Sequence, residues 1–253
     1  MTYSIVARDP ETGSIGIAVA SRFFACGSLV PFVAPDVAVA SQAFCNPLWG
    51  VEGLQRMRAG EAADGVLKDF LARDGGQSIR QAHMIDQTGQ IAAHTGTDCV
   101  DWAGHNSAEN VSVAGNMLTG PSVVTDTLTA YRDNMDQPFL ERLMRSMEAG
   151  ESAGGDKRGR QAAGIIIHRG EAYPWLDIRA DDHFDPLAEL RRLIDVSQER
   201  YVHFAMGLAK ADNFSGLTDR TPIDTAIHDA ENERKALGIA SRSFATDACL
   251  RDS

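Results

Sequence analysis

The sequence lacks any apolar run long enough to span a bilayer. Its hydrophobic stretches are strand-length and are broken by Pro, Asp or Gly, whereas a spanning helix needs about 20 consecutive apolar residues. It also lacks a lysine- or arginine-rich run. Lys and Arg number 24 against 35 Asp and Glu, a net charge of −11. An acidic chain of this kind repels nucleic-acid phosphates and anionic lipid surfaces, so neither is an expected partner. The opening residues MTYSIVARD have neither the basic start nor the apolar centre of a secretion signal, and a cytoplasmic location is expected. Cysteines are few: Cys26, Cys45, Cys99 and Cys249 are widely spaced and form no CxxC pair. That spacing argues against a zinc knuckle or a disulfide framework, and buried thiols are expected instead. The seven histidines show no HxxxH spacing, so neither a metal nor a cofactor is expected.

What is present is a chain of 253 residues, 43% hydrophobic and 23% charged, which suits one large domain with a sizeable core. TYSIVAR (2–8) and SIGIAVAS (14–21) read as a hairpin around the turn DPETG (9–13). Residues 30–43 read as a strand pair broken at Pro35-Asp36, and 49–58 and 61–73 as helices. RQAHMID (80–86) and QIAAHTG (90–96) form a second hairpin, followed by a strand over 109–117 and helices near 121–134 and 137–149. A polar glycine-bearing loop over 151–161 leads to strands at 162–170 and 174–182. Asp185-Pro186 is a helix start, an N-cap followed by proline at the first helical position. That helical pattern runs to about Lys210, and one further helix is expected at 222–237. Antiparallel hairpins on both sides of a helical pair suit an α+β fold better than a doubly wound sheet. One domain over 1–215, with residues 216–253 as a C-terminal extension, is the simplest parse.

Several segments together, TYSIVARDPETGSIGIAVASRFFACGSLVPFV, SQAFCNPLWGVEGL, RQAHMIDQTGQIAAHTG, AGNML, AGESAGGDKRGRQAAGI and LDIRADDHFDPLAEL, closely resemble the uncharacterised family DUF1028 over roughly residues 2–193. That family is grouped with the N-terminal-nucleophile hydrolases. The resemblance implies a four-layer αββα sandwich, two antiparallel sheets between helix layers. It also implies amide-bond cleavage by a nucleophile at the start of the first strand, here Thr2. A threonine hydroxyl is a weak nucleophile without a base, and a free α-amine, with a pKa near 8, can serve as one. Loss of Met1 would expose that amine. The chain departs from the pattern of proteasome-like relatives, which place a lysine some thirty residues after the nucleophile, because the first lysine here is Lys68. Arg22, closing the second strand, is the candidate source of positive charge. From the residues alone, Thr2 is better explained as an ordinary β-branched strand residue, and it is the resemblance that brings the catalytic reading level with it.

Other candidates follow from position. Gly115 and Asn116, at the end of a strand, offer oxyanion donors or a simple turn. Ser21, Gln42 and Asn46 offer substrate contacts or loop caps. Asp156 and Arg158, in a glycine-rich loop without the GK[ST] end of a phosphate loop, offer either a ligand contact or an internal Asp–Arg pair. Asp181, Asp182, His183 and Asp185 hold the ligand chemistry of a metal site, but Asp185 is already used as a cap and strand neighbours point to opposite faces. The expected activity is an amidohydrolase acting on a small or peptide-like amide. The alternatives are a non-catalytic binding or assembly module, and a hydrolase working through Cys26 or Asp156. The helical surface of a sandwich also suits a homodimer.

Overall fold

The computed structural model describes residues 2–245. The first hairpin pairs β1 (Thr2–Arg8) with β2 (Ile15–Ser21). Asp9 makes the turn: its carboxylate accepts the Glu11 amide at 3.1 Å and the Thr12 hydroxyl at 2.9 Å. Gly13 closes it at φ 69°, a conformation that costs glycine little. The chain continues through a short α1 (Cys26–Leu29), β3 (Pro31–Val33), β4 (Ala38–Ala43), α2 (Pro47–Arg58) and α3 (Ala63–Arg73). The second hairpin is β5 (Arg80–Ile85) with β6 (Ile91–Thr95). Then come β7 (Trp102–Ala108), β8 (Val111–Leu118), α4 (Ser122–Asp133), α5 (Phe139–Ser152), β9 (Ala162–His168), β10 (Leu176–Ala180), α6 (Pro186–Glu199), α7 (Tyr201–Ala205) and α8 (Thr221–Ala236).

The strands form two antiparallel sheets, one in the order β10-β9-β2-β1-β8-β7 and one in the order β3-β4-β5-β6. The sheets face each other through β1 and β8 on one side and β4 and β5 on the other. Helices α4 and α5 pack on the six-stranded sheet, and α2 and α3 on the four-stranded one. The fold is a mixed α+β sandwich. Strand β2 is buried on both faces, which explains why IGIAVAS shows no polar alternation. Between the sheets Val6, Ile17, Val19, Ala40 and Ile85 form one apolar cluster; beneath α2 and α3, Val39, Trp49, Met57, Phe70 and Met84 form another.

Three elements depart from the sequence reading. Strand β7 was not expected; its residues are half-buried or exposed throughout, so WAGHNSA has no apolar alternation and is held as an edge strand by β8 alone. The four-residue α1 is too short to leave a periodic signal. The helix expected to run to Lys210 stops at Glu199, where Arg200 leaves helical geometry (φ −144°), and a separate turn of helix ends at Ala205; nothing in the local sequence explains the break. The described chain divides into two compact units between Leu190 and Arg191. No helix among the described residues is long and apolar enough to cross a membrane.

A buried ion pair fastens the first hairpin to the helix layer. Arg142 of α5 places Nη2 2.6 Å from the Asp9 carboxylate, with side chains only 4% and 6% exposed. The guanidinium also lies over the Tyr131 and Phe139 rings, 5.5 and 5.4 Å from their centroids. Burial opposes ionisation of Asp9, but the Thr12 hydroxyl, the Glu11 amide and Arg142 outweigh it, so its carboxyl titrates below the ordinary carboxylate range. A depressed folded pKa means that this stability is present at neutral pH and is lost as pH falls through the folded value. Arg142→Met strands the buried carboxylate and is expected to cost about 3–5 kcal/mol at pH 7. Urea melts should show that gap narrowing at pH 3; an equal gap at both pH values would refute the assignment.

Candidate functional site

The pleat of β1 sends Tyr3 into the helix layer, where its hydroxyl reaches the Met147 carbonyl at 2.9 Å. Ser4 points the other way, toward the four-stranded sheet, and Thr2 shares its face by strand alternation. Thr2 borders a cavity of about 280 Å³ that also involves Gln42, Cys26 and Val30, with Phe23, Leu29 and Phe44 among its lining. The Thr2 hydroxyl donates to the Ser21 hydroxyl oxygen at 3.1 Å, across the hairpin. Two non-glycine residues beside the cavity hold left-handed backbone: Ala25 (φ 55°), just before α1, and Ala43 (φ 64°), at the end of β4. Such residues cost of order 1–3 kcal/mol each and recur at functional sites.

Below the cavity a polar seam runs between the sheets, and its orientation follows from one carbonyl. The Gly115 carbonyl can only accept, so the Gln81 amide nitrogen must face it, at 2.8 Å. The Gln81 oxygen then receives the amide nitrogens of Gln42 at 2.8 Å and Asn116 at 3.0 Å. Gln42 is thereby turned so that its oxygen accepts from the Ser4 hydroxyl at 2.7 Å. Ser4 has no second proton, so His83, whose Nε2 lies 2.8 Å away, must carry its proton there. Its Nδ1 then accepts from the Ser112 hydroxyl at 3.0 Å. Burial, with a lesser contribution from His105, pushes the His83 pKa down to about 3, so the ring stays neutral.

A family model described as a family of unknown function (DUF1028) matches residues 2–190. The chain belongs to the DUF1028 family. Among solved structures it is similar to protein SPO2555 from Silicibacter pomeroyi, also assigned to DUF1028, with a TM-score of 0.80 and 29% identity over 86% of this chain and 99% of that one. No curated protein matches the chain.

In this DUF1028 chain the residues singled out from the sequence fall into separate places. Thr2, Ser21 and Gln42 come together at or beside the cavity. Asn116 lies opposite Thr2 in the β1–β8 register, and its side-chain nitrogen donates to Gln81 and, at 3.5 Å, to the Thr2 carbonyl. Gly115 lies opposite Tyr3; a Cβ there would meet Leu118 at 2.4 Å, so the position is held by packing within the strand rather than by a turn. Asp156 is buried and accepts the backbone amides of Arg22 and Arg158, both at 2.8 Å, plus the Arg158 guanidinium at 3.3 Å. Arg22 is not among the residues around the Thr2 cavity: its guanidinium donates to the Arg158 carbonyl and lines a separate, open cavity of about 480 Å³ with Arg160 and His183. Asn46 is also elsewhere, capping α2 by accepting the Leu48 amide at 3.1 Å and donating to Asp74 at 2.9 Å. Asp185 caps α6, accepting the Ala188 amide at 3.1 Å. Among the described residues no three His, Cys, Asp or Glu side chains gather in a way that could hold a metal ion. Burial raises both thiols at the cavity, Cys26 to about 12, so neither is a ready thiolate.

The seam residues Ser4, Gln81, His83 and Ser112 were not singled out from the sequence. The available signal was their spacing, polar side chains at alternate positions (Gln81 and His83) on a strand that is apolar elsewhere after Arg80. Replacing Gln81 by Met would leave Gly115, Gln42 and Asn116 short of partners and is expected to cost about 2–4 kcal/mol, measured by urea unfolding. Nitrogen-detected NMR should find the His83 ring neutral, protonated at Nε2, down to about pH 4. A ring that titrates near its ordinary value of about 6.5 would contradict this account.

Proposed function

We propose that this chain is an N-terminal-nucleophile hydrolase that cleaves amide bonds, with Thr2 as nucleophile once Met1 has been removed. The observation that supports this most is the position of Thr2: the first residue of an interior strand, its side chain beside a cavity and its hydroxyl held by Ser21. The exposed α-amine would act as base. As Oγ1 forms its bond to the substrate carbonyl carbon, the amine, directly or through one water, takes the hydroxyl proton. The tetrahedral adduct collapses with loss of the C–N bond, and the same proton passes to the leaving amine. Water then hydrolyses the Thr2 ester, with the amine again as base.

In this reading Asn116 supplies the oxyanion donor. Its 3.5 Å contact with the Thr2 carbonyl is the longer of its two bonds, and that N–H is the one free to turn toward a developing oxyanion. Gly115 sets the approach of β8 behind it. Asp156 acts by position, tying the backbone amide of Arg22, the residue after Ser21, to that of Arg158 in the glycine-rich loop. Arg22 contributes electrostatically from the neighbouring polar cavity rather than by touching the reacting atoms.

The experiment is mass spectrometry of protein with a native N-terminus, treated with a β-lactone probe. Adduct on Thr2, lost in Thr2→Ala and in protein that retains Met1, is the expected result. Turnover should rise with pH through a single ionisation near 8, the ordinary range of an α-amine. Labelling elsewhere, or full turnover in Thr2→Ala, would overturn the reading and point to a different nucleophile on the same fold; no turnover and no adduct at all would leave a binding module.

A further inference from the structure

We infer that the cavity beside Thr2 takes the apolar acyl half of an N-acyl amide, with an uncharged chain of up to about eight carbons or a phenylacyl group. This rests on the Thr2 reading for the reaction, but on the cavity itself for the ligand. Among the described residues no Asp, Glu, Lys, Arg or His lines it. Its polar contributions come from Thr2 and Gln42, and both of the Gln42 amide heteroatoms already have partners in Ser4 and Gln81. A charged acyl chain would lose its hydration there, and Arg80, whose guanidinium lies over the Phe44 ring, is already paired with Asp74.

The lining is also unusually apolar for an accessible surface. Phe23, Leu29 and Phe44 stand 54%, 37% and 69% exposed, side chains that a ligand would cover. They follow or flank Ala25 and Ala43, the two strained residues, so backbone strain accompanies their exposure rather than being relieved by burying them. The volume, about 280 Å³, is nearly twice the ~150 Å³ cavity that takes up benzene. With the carbonyl carbon at Thr2, that leaves room for a medium chain and not for a long one.

The test separates this pocket from the chemistry. Acetamide, butanamide, hexanamide, octanamide, decanamide and the charged succinamate are titrated into the full-length Thr2→Ala protein by calorimetry. Affinity is expected to rise roughly three- to fourfold per methylene to about eight carbons and then level off. Succinamate should bind at least tenfold more weakly than butanamide. Leu29→Asp, at a half-exposed position, should lower octanamide affinity at least tenfold while leaving the melting temperature unchanged. Equal affinity along the series, tighter binding of succinamate, or no effect of Leu29→Asp would overturn the inference. If the chain-length series holds but wild-type protein hydrolyses none of the amides and Thr2 takes no probe, the pocket stands and the nucleophile assignment falls.

Discussion

The Gln81 side-chain amide sets the hydrogen-bond direction of everything polar between the two sheets. It is fully buried and touches both of them, donating from its nitrogen to the Gly115 carbonyl of one sheet and accepting at its oxygen from Gln42 of its own. Because a carbonyl cannot donate, this one contact dictates the orientation of Gln42, then the Ser4 proton, then the His83 tautomer. Asn116 is fixed by the same oxygen, and through it the Thr2 carbonyl. A seam with every member satisfied is rigid in a way an apolar layer is not, since any slip of one sheet along the other leaves several buried groups unpaired at once. The floor of the Thr2 cavity is therefore made of side chains that have little freedom to rearrange.

Much of the architecture was legible in the residues. The first hairpin shows because Asp9, Pro10 and Gly13 are turn chemistry between two strand-length runs, and in the structure Asp9 does hold that turn. The second shows for the same reason, with Asp86 accepting the Thr88 and Gln90 amides around Gly89. Strand β7 and the break after Glu199 were not legible. An edge strand with one neighbour needs no apolar alternation, and the break has no proline or glycine to announce it.

The site was legible only in part. Thr2, Ser21 and Gln42 are end-of-strand polar residues that the fold gathers, but Asn46 and Arg22 occupy the same kind of position and are drawn off to a helix cap and a loop carbonyl. What distinguishes the two groups is register, the face on which each strand end emerges, and a single strand does not carry that information. His83 was hidden for a related reason: a lone histidine in an apolar strand acquires meaning only when the opposite sheet supplies Ser4 and Ser112.

The link between Asp9 and Arg142 has a consequence for the order of assembly. The two residues lie 133 positions apart, and β1 is flanked in its sheet by β2 and by the distant β8, while β2 in turn pairs with β9. Contacts of such long range form only after large loops have closed, so they are slow relative to local ones. In synthesis from the N- to the C-terminal direction β1 is made well before α5, so the Asp9–Arg142 pair cannot lock it until α5 has followed, and β2 keeps an open edge until β9 is complete at His168. The first hairpin is thus made early and secured late, and until β8 and β9 arrive both of its outer edges stand unpaired.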